Sequence, residues 1–290
     1  MLDVFFISIG EQEAEENFAR LQEFVPNAKR ITNVTGIYNV HKACAELSAT
    51  ENFWVVDADA WIVDGFNFDW EPDISVVHWG VPETECVAIW PSVNPVNYLQ
   101  YGYGAVKVFP RKPFIENRPW HIDMTSSIAN IIINKGIVSC ETRFNATPES
   151  AWIGAFRECA KLASLSMIKT RVNKAKAAEK AELEEVVRYS IEQDWDDDKK
   201  HNYRRSRALL VKDRYKREKD IFTYWDEMEM YGQNKLVWCT KGWDNKNGKY
   251  AILGAQAGSK FGLINSDNLE VLDLINDWNW LRKEFKNVNV

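Results

Sequence analysis

The sequence predicts an α/β protein with a mixed central sheet and a charged helical insertion or lobe. Three observations carry that expectation. The first 65 residues alternate short apolar runs with helix-forming stretches at the spacing of a mostly parallel sheet with covered faces. After residue 72, apolar runs separated by Pro- and Gly-containing turns suggest that the later strands mix directions. Residues 171–230 are long, charged and helical in composition, with a break near Asp194–Lys200.

The elements follow in order. Residues 3–10 (DVFFISIG) read as a buried first strand stopped by glycine, and EQEAEENFARLQEF as a helix with Phe18, Leu21 and Phe24 on related turns. AKRITNV is a short second strand and VHKACAELSAT a second helix. ENFWVVDADAWIVDG is an apolar strand that runs into acidic residues and out again. DISVVHWG, CVAIWP and GAVKVFP read as further strands, while SSIANIIINKG reads as a helix despite its β-branched content. In TPESAWIGAFRECAKLASL, Thr147 or Ser150 can cap a helix and Pro148 suits its first turn. KYAILGAQAGSKFGLIN reads as strand-like segments with glycines, and NLEVLDLINDWNWLRKEF as one amphipathic helix or two short ones. The expected organisation is a core over 1–165, a charged helical lobe over 166–235, and C-terminal strands and a helix packing back over 236–290.

Composition narrows the class. Apolar residues at 46% and charged residues at 27% are the balance of a globular chain, not a disordered one. Thirteen Trp suggest large amphipathic surfaces or a site lined by flat side chains, with core and rim packing accounting for most. No run of 18 apolar residues occurs, so no membrane span is expected. The start, MLDVFFISIG, reads as a core strand and not as a signal peptide. Five Cys, widely separated and without CxxC, argue against a disulfide framework or zinc knuckle and for a reducing compartment. Four His make a multi-histidine metal site a poor expectation. The net charge of −6 discourages a nucleic-acid role, but half of the 36 basic residues lie between Arg157 and Lys219. A basic patch there can meet phosphates while the whole chain stays acidic.

The sharpest local feature is Asp57–Ala58–Asp59, directly after Phe53–Val56. An apolar strand delivers these carboxylates to the C-terminal edge of a parallel sheet, where ligands bind in open α/β folds. A turn after Asp57 would let both acids approach one Mg²⁺ or Mn²⁺ that bridges a diphosphate. DxD alone is a weak pattern, and caps or surface turns explain most occurrences; its place after a third apolar strand strengthens it. Asp64 reads as a turn residue.

The order of VFFISIG, FWVVDADAWI, GYGAVKVFP, HIDMTSS, ESAWIGAFRECAKLA and INDWNWL resembles a family of phage DNA-modifying glycosyltransferases of the GT-A fold. The likeness spans most of the chain and is weakest over residues 165–240. It implies a nucleotide-sugar-binding core, a UDP-sugar donor, Mn²⁺ or Mg²⁺, and transfer to 5-hydroxymethylcytosine in double-stranded DNA. The cytoplasm of an infected bacterial host would then be the setting. It also implies that Asp57 and Asp59 hold the ion and that Ser8, Ile9 and Gly10 lie near the nucleotide. Asp123 would lie near acceptor or sugar, beside Thr125 and Ser126, and Arg157 and Lys161 would share one helix face toward the donor.

The residues themselves leave alternatives open. Asp123 can be a general base, a sugar- or acceptor-binding acid, or a helix cap. Glu149 is the rival base, though a first-turn acid also suits the helix dipole. His78 with Trp79, and His121 with Trp120, are either ligand contacts or satisfied structural residues. His201 is the only late His available as a third metal ligand, in a heavily charged run. Tyr101, Gly102, Tyr103 and Gly104 can hold a sugar or flipped base, or simply form a turn, with Lys107 and Arg111 following on one strand face. The cations from Lys199 to Lys219 can contact phosphates or form a solvated helix face. Two further functions stay in view: a GT-A enzyme acting on a glycan or other acceptor, and a non-catalytic nucleotide- or DNA-binding accessory protein.

Overall fold

The computed structural model describes residues 1–102, 104–120 and 122–288. The chain forms two compact units, Met1–Ser164 with Gln233–Val290, and Leu165–Gly232. None of the described helices is long and apolar enough to cross a membrane.

The first unit opens with β1 (Asp3–Ser8), α1 (Ala14–Phe24), β2 (Lys29–Thr32), α2 (Ile37–Leu47) and β3 (Asn52–Asp57). The strands obey the two-residue period. Val4, Phe6, Trp54 and Val56 join one core cluster with Leu21 of α1, while Phe5, Ile7, Phe53 and Val55 join another with Val40 and Cys44 of α2. Both faces of β1 and β3 are therefore covered. Phe5, Phe6, Phe53 and Trp54 are fully buried, and each such side chain contributes roughly 1.5–3 kcal/mol. Three of the tryptophans build this core: the Trp54 and Trp90 rings lie 4.4 Å apart, with Phe66, Phe68 and Trp70 around them.

The chain continues through β4 (Ala60–Ile62), the hairpin β5 (Val77–His78) and β6 (Val81–Pro82), β7 (Val87–Ile89), β8 (Ser92–Val93), β9 (Gln100–Tyr101) and β10 (Val106–Pro110). Two short helices, α3 (Lys112–Ile115) and α4 (Met124–Ile128), precede β11 (Ile132–Asn134) and β12 (Cys140–Thr142). The main sheet has six strands in the order β11-β7-β10-β3-β1-β2. β1 is parallel to β2 and β3, while β10 runs antiparallel to both β3 and β7. The sheet is thus mixed, as expected. A second sheet runs β4-β12-β8-β9. SSIANIIINKG is a correction: its helix stops at Ile128, and Ile132–Asn134 forms a strand parallel to β7. Consecutive isoleucines lose side-chain freedom in a helix and gain pairing at this sheet edge.

Helix α5 (Pro148–Ser164) starts as its sequence indicates, with reciprocal bonds between Thr147 and Ser150: Ser150 N to Thr147 Oγ1 at 3.0 Å, and Thr147 N to Ser150 Oγ at 3.0 Å. The second unit holds α6 (Ser166–Glu192), α7 (Asp197–Arg214) and the start of α8 (Trp225–Thr240). Leu165, with φ +55°, separates α5 from α6. Asp196 caps α7 by accepting from Lys199 N at 2.7 Å. Bonds from Arg204 to Ser190 and from Arg214 to Glu182 make α6 and α7 an antiparallel hairpin.

The expected C-terminal strands are a second correction. KYAILGAQAGSKFGLI is one helix, α9 (Gly248–Ile264), followed by α10 (Leu269–Leu272) and α11 (Trp278–Lys286). Its glycines recur every fourth residue because they form a seam. A Cβ at Gly254, Gly258 or Gly262 would lie 2.2, 2.1 or 2.3 Å from the carbonyl oxygen of Trp152, Phe156 or Ala160 of α5. Only glycine permits this backbone contact.

Gly258→Ala should therefore destabilise the protein by roughly 2–3 kcal/mol, read by urea unfolding. Gly232→Ala, at an exposed position within α8 with open space around it, should instead stabilise by about 0.5–1 kcal/mol. Equal effects at the two sites would remove the seam.

Candidate functional site

The central position of β3 decides where the acids lie. Strand pairing with β1 and β10 brings Asp57 to the C-terminal edge, where its backbone N donates to Ala105 O at 2.8 Å. The chain then turns. Asn17 Nδ2 donates to Ala58 O at 2.8 Å and Arg143 N to Asp59 O at 2.6 Å, after which β4 begins. Asp57 and Asp59 both line one cavity of about 220 Å³; residues two apart share a face of an extended strand, and the turn keeps both at the sheet edge.

Other elements of the first unit complete the lining. β10 contributes Lys107, and α5 contributes Arg157, Glu158 and Lys161. Asp123, at the start of α4, faces the same cavity. Lys107 Nζ lies 3.3 Å from Asp57 Oδ2. Lys161 Nζ bridges Glu158 Oε2 at 3.1 Å and Asp123 Oδ1 at 3.7 Å. Asp123 Oδ2 also accepts from Ser126 N at 2.9 Å, so the cap is real as well as the cavity contact. Arg157 is held by Nε to Ile275 O at 2.8 Å and Nη2 to Asn276 Oδ1 at 3.3 Å, with Trp278 beside it.

Protonation follows from this mixture. Burial, reinforced by the charges of Asp57 and Glu11, pushes the Asp59 carboxyl up to about 7. Burial also opposes ionisation of Asp123, but Lys161 and the Ser126 bonds outweigh it and hold Asp123 below the usual carboxylate range. Burial works against the Lys161 charge, yet Glu158 and Asp123 raise its pKa. Arg157 is lowered by burial against the pull of Glu158, Asp123, Asp57 and Asp59.

The donor set suits a hard divalent cation. Asp57 Oδ1 is buried without a protein partner, and Asp59 lacks sufficient compensating charge. Mg²⁺ is commonly held by one or two carboxylates plus substrate phosphates. Among the described residues, no group of three or more His, Cys, Asp and Glu side chains gathers as a metal site, so phosphate and water oxygens would complete the shell. Lys107, already on Asp57 Oδ2, would compete with such an ion for that oxygen.

Several candidates lie elsewhere. Glu149 is a correction: it does not line the cavity, and its Oε1 accepts from Arg282 Nε at 3.3 Å on the surface of α5. Ser8, Ile9 and Gly10 end β1 at the same sheet edge but outside the cavity lining. There Ser8 Oγ accepts from Arg30 Nε at 3.2 Å, and Ile9 N donates to Glu11 Oε2 at 2.8 Å. Asp64 is an exposed partner of Arg20. His78 pairs with buried Glu83 at 3.2 Å, Trp79 projects from the hairpin, and Arg111 bonds Ala45 O at 2.7 Å. Trp120 stacks with Tyr38, and His201 is exposed on α7. Tyr101 lines the cavity, whereas Gly104 serves close approach to the Trp90 carbonyl. Tyr103 and His121 lie outside the described residues. Residues that sequence reasoning missed are Asn94, Trp238 and Asn276, each brought to the cavity by tertiary packing. Comparison with protein-family models, with curated proteins and with solved structures gives no match.

Asp59 has a pH signature in protein stripped of divalent ions. Its folded-state pKa of about 7 stands above its ordinary 3.8. The folded state therefore holds this proton more tightly; the resulting stability is complete below about pH 4 and lost as pH rises through 7. The loss is at most about 4 kcal/mol. Asp59→Asn should be more stable than the parent at pH 8 in chelator, with the difference gone at pH 4, in urea unfolding. Mn²⁺ at pH 8 should stabilise the parent and not the variant.

Proposed function

We propose that this chain is a metal-dependent glycosyltransferase of GT-A type, moving a sugar from a nucleoside diphosphate sugar to 5-hydroxymethylcytosine in DNA. UDP is the carrier that the sequence resemblance favours. The observation that supports the reading most directly is one cavity, at the C-terminal edge of a central strand, that gathers Asp57, Asp59, Asp123, Arg157 and Lys161. The mixed sheet, with antiparallel β10 beside the acid-bearing strand, is compatible with a GT-A core.

In this reading Asp57 and Asp59 would hold Mn²⁺ or Mg²⁺, which would supply positive charge to offset that of the diphosphate. Lys107 and Arg157 add positive charge around the same acids. The hydroxymethyl oxygen bonds to the anomeric carbon as the bond from that carbon to the diphosphate oxygen breaks. Asp123, ionised at neutral pH, receives the hydroxyl proton in an inverting reaction. Lys161 orients Asp123 and balances it against Glu158. A base inside duplex DNA must leave the stack to react, and the cytoplasm of an infected bacterial host is where such DNA would be met.

The second unit supports a polyanionic acceptor. Arg204 and Arg214 are engaged with Ser190 and Glu182 along α6. Arg205, Lys212 and Lys216 are exposed, and their spacing puts them on one side of the α7 segment and its continuation. Cations so arranged suit successive phosphates, with the salt dependence that such contacts bring.

The test is incubation with a panel of nucleotide sugars, Mn²⁺ and duplex DNA with or without 5-hydroxymethylcytosine, read by nucleoside mass spectrometry. A sugar-sized gain confined to the modified base is expected, falling at least 100-fold in Asp57→Asn and Asp59→Asn. Metal-dependent donor hydrolysis without transfer would keep the glycosyltransferase and discard the DNA acceptor. Separately, Arg205→Ala/Lys212→Ala/Lys216→Ala should weaken duplex binding and flatten its salt dependence, by about 0.9 in log–log slope for each phosphate no longer neutralised. An unchanged slope would remove this face from DNA binding.

A further inference from the structure

The cavity lining includes polar groups that the proposed metal and diphosphate would not use. Glu158 is only 9% exposed; its Oε2 meets Lys161, but its Oε1 is buried with no partner. Asn94 is 4% exposed, and its Oδ1 accepts from Val96 N at 2.8 Å and Asn97 N at 3.2 Å. Its amide nitrogen, Nδ2, is buried with no partner. Leaving such groups unsatisfied is costly, and native proteins rarely do so without a ligand or water in view. Both residues line the same cavity as Tyr101 and Trp238. The Glu158 charge is close enough to act on the Tyr101 hydroxyl.

The combination is chemically specific. Paired with Lys161, the Glu158 carboxylate only accepts hydrogen bonds, whereas the free Asn94 nitrogen only donates. A hydroxyl does both, so neighbouring hydroxyls can satisfy an acceptor and a donor at once. The flat rings of Tyr101 and Trp238 offer apolar surface for the C–H face of a sugar ring. At about 220 Å³ the cavity is smaller than pockets for drug-sized ligands, which run about 300–1,000 Å³. It suits a sugar ring and its phosphate end, with the nucleoside outside.

Building on the proposed donor reading, we propose that Glu158, Asn94, Tyr101 and Trp238 form the sugar subsite. Together these residues select a neutral glycosyl group with adjacent free hydroxyls and disfavour a uronic acid, whose carboxylate would meet the Glu158 charge. Glu158 and Asn94 are thus specificity-determining residues for the donor.

Calorimetric titration with Mn²⁺ tests this, using UDP, UDP-glucose and UDP-glucuronate against the parent, Glu158→Gln and Asn94→Ala. The parent should bind UDP-glucose at least tenfold more tightly than UDP, and UDP-glucuronate at least tenfold more weakly than UDP-glucose. Each variant should lose most of the gain from glucose while keeping UDP affinity within twofold, and Glu158→Gln should narrow the discrimination against glucuronate. Asn94→Ala keeps the Glu158–Lys161 pair, so the same loss in both variants would not reflect collapse of the charge network. If UDP binds but the glucose increment survives both substitutions, or UDP and UDP-glucose weaken equally, the subsite is wrong and the donor reading stands. If neither UDP nor the corresponding ADP, GDP and TDP series binds the parent, the donor reading fails and the subsite with it.

Discussion

The site depends on backbone contact between two helices far apart in sequence. α9 meets α5 through Gly254, Gly258 and Gly262, whose missing side chains leave room for the carbonyls of Trp152, Phe156 and Ala160. Close approach of this kind allows weak Cα–H···O contacts and fixes one helix against the other with little latitude. The consequence reaches the cavity because Arg157, Glu158 and Lys161 all belong to α5. Their charges are as well placed as the seam allows. A bulkier residue in α9 would shift α5 and separate Lys161 from Asp123 without touching either.

Charge compensation is the second constraint, and it is uneven. Asp57, Asp59, Asp123 and Glu158 share the cavity with Lys107, Arg157 and Lys161. Desolvated acids persist as carboxylates only beside cations or hydrogen-bond donors. Asp123 has both and is held below the usual range, while Asp59 is pushed up by burial first and by the like charge beside it. The deficit therefore falls at the end of β3, next to the unpartnered Asp57 Oδ1. That is the place where a bound cation would relieve the most unfavourable charge, and where Lys107 partly does so in the chain alone.

Much of this was legible in the sequence because it is local. The continuous apolar runs of DVFFIS and NFWVVD, buried on both faces, the turn after Asp57, the Thr147–Ser150 cap and the shared face of Arg157 and Lys161 are all set by residues close in sequence. Local pattern failed where tertiary contacts decided. Glycines four apart looked like strand punctuation until α5 supplied the surface that requires them. The isoleucines of β11 depended on a vacant edge beside β7. Glu149 looked like a rival base from its place before the AFREC stretch, but α11 claims it through Arg282. Asn94 and Trp238 carry no signal in sequence, since nothing nearby in the chain tells which buried polar atom will lack a partner.

The state of Asp123 bears on how the proposed reaction would be driven. A carboxylate stabilised by Lys161 and by the start of α4 is always ready to accept a proton, yet the same contacts reduce its affinity for one. General-base catalysis is most effective when the pKa lies near the working pH. Asp123 is therefore better suited to hold and aim the acceptor hydroxyl, and to take its proton late, than to pull it off early. In the proposed reaction the burden of lowering the barrier would then fall on the opposite side of the anomeric carbon, where the diphosphate would leave. Preorganised positive charge facing a developing anion commonly supplies most of the rate enhancement in such sites. Lys107, Arg157 and the Asp57–Asp59 pair all lie in that same small cavity. The transition state would accordingly be reached mainly by departure of the diphosphate, with proton transfer following bond formation.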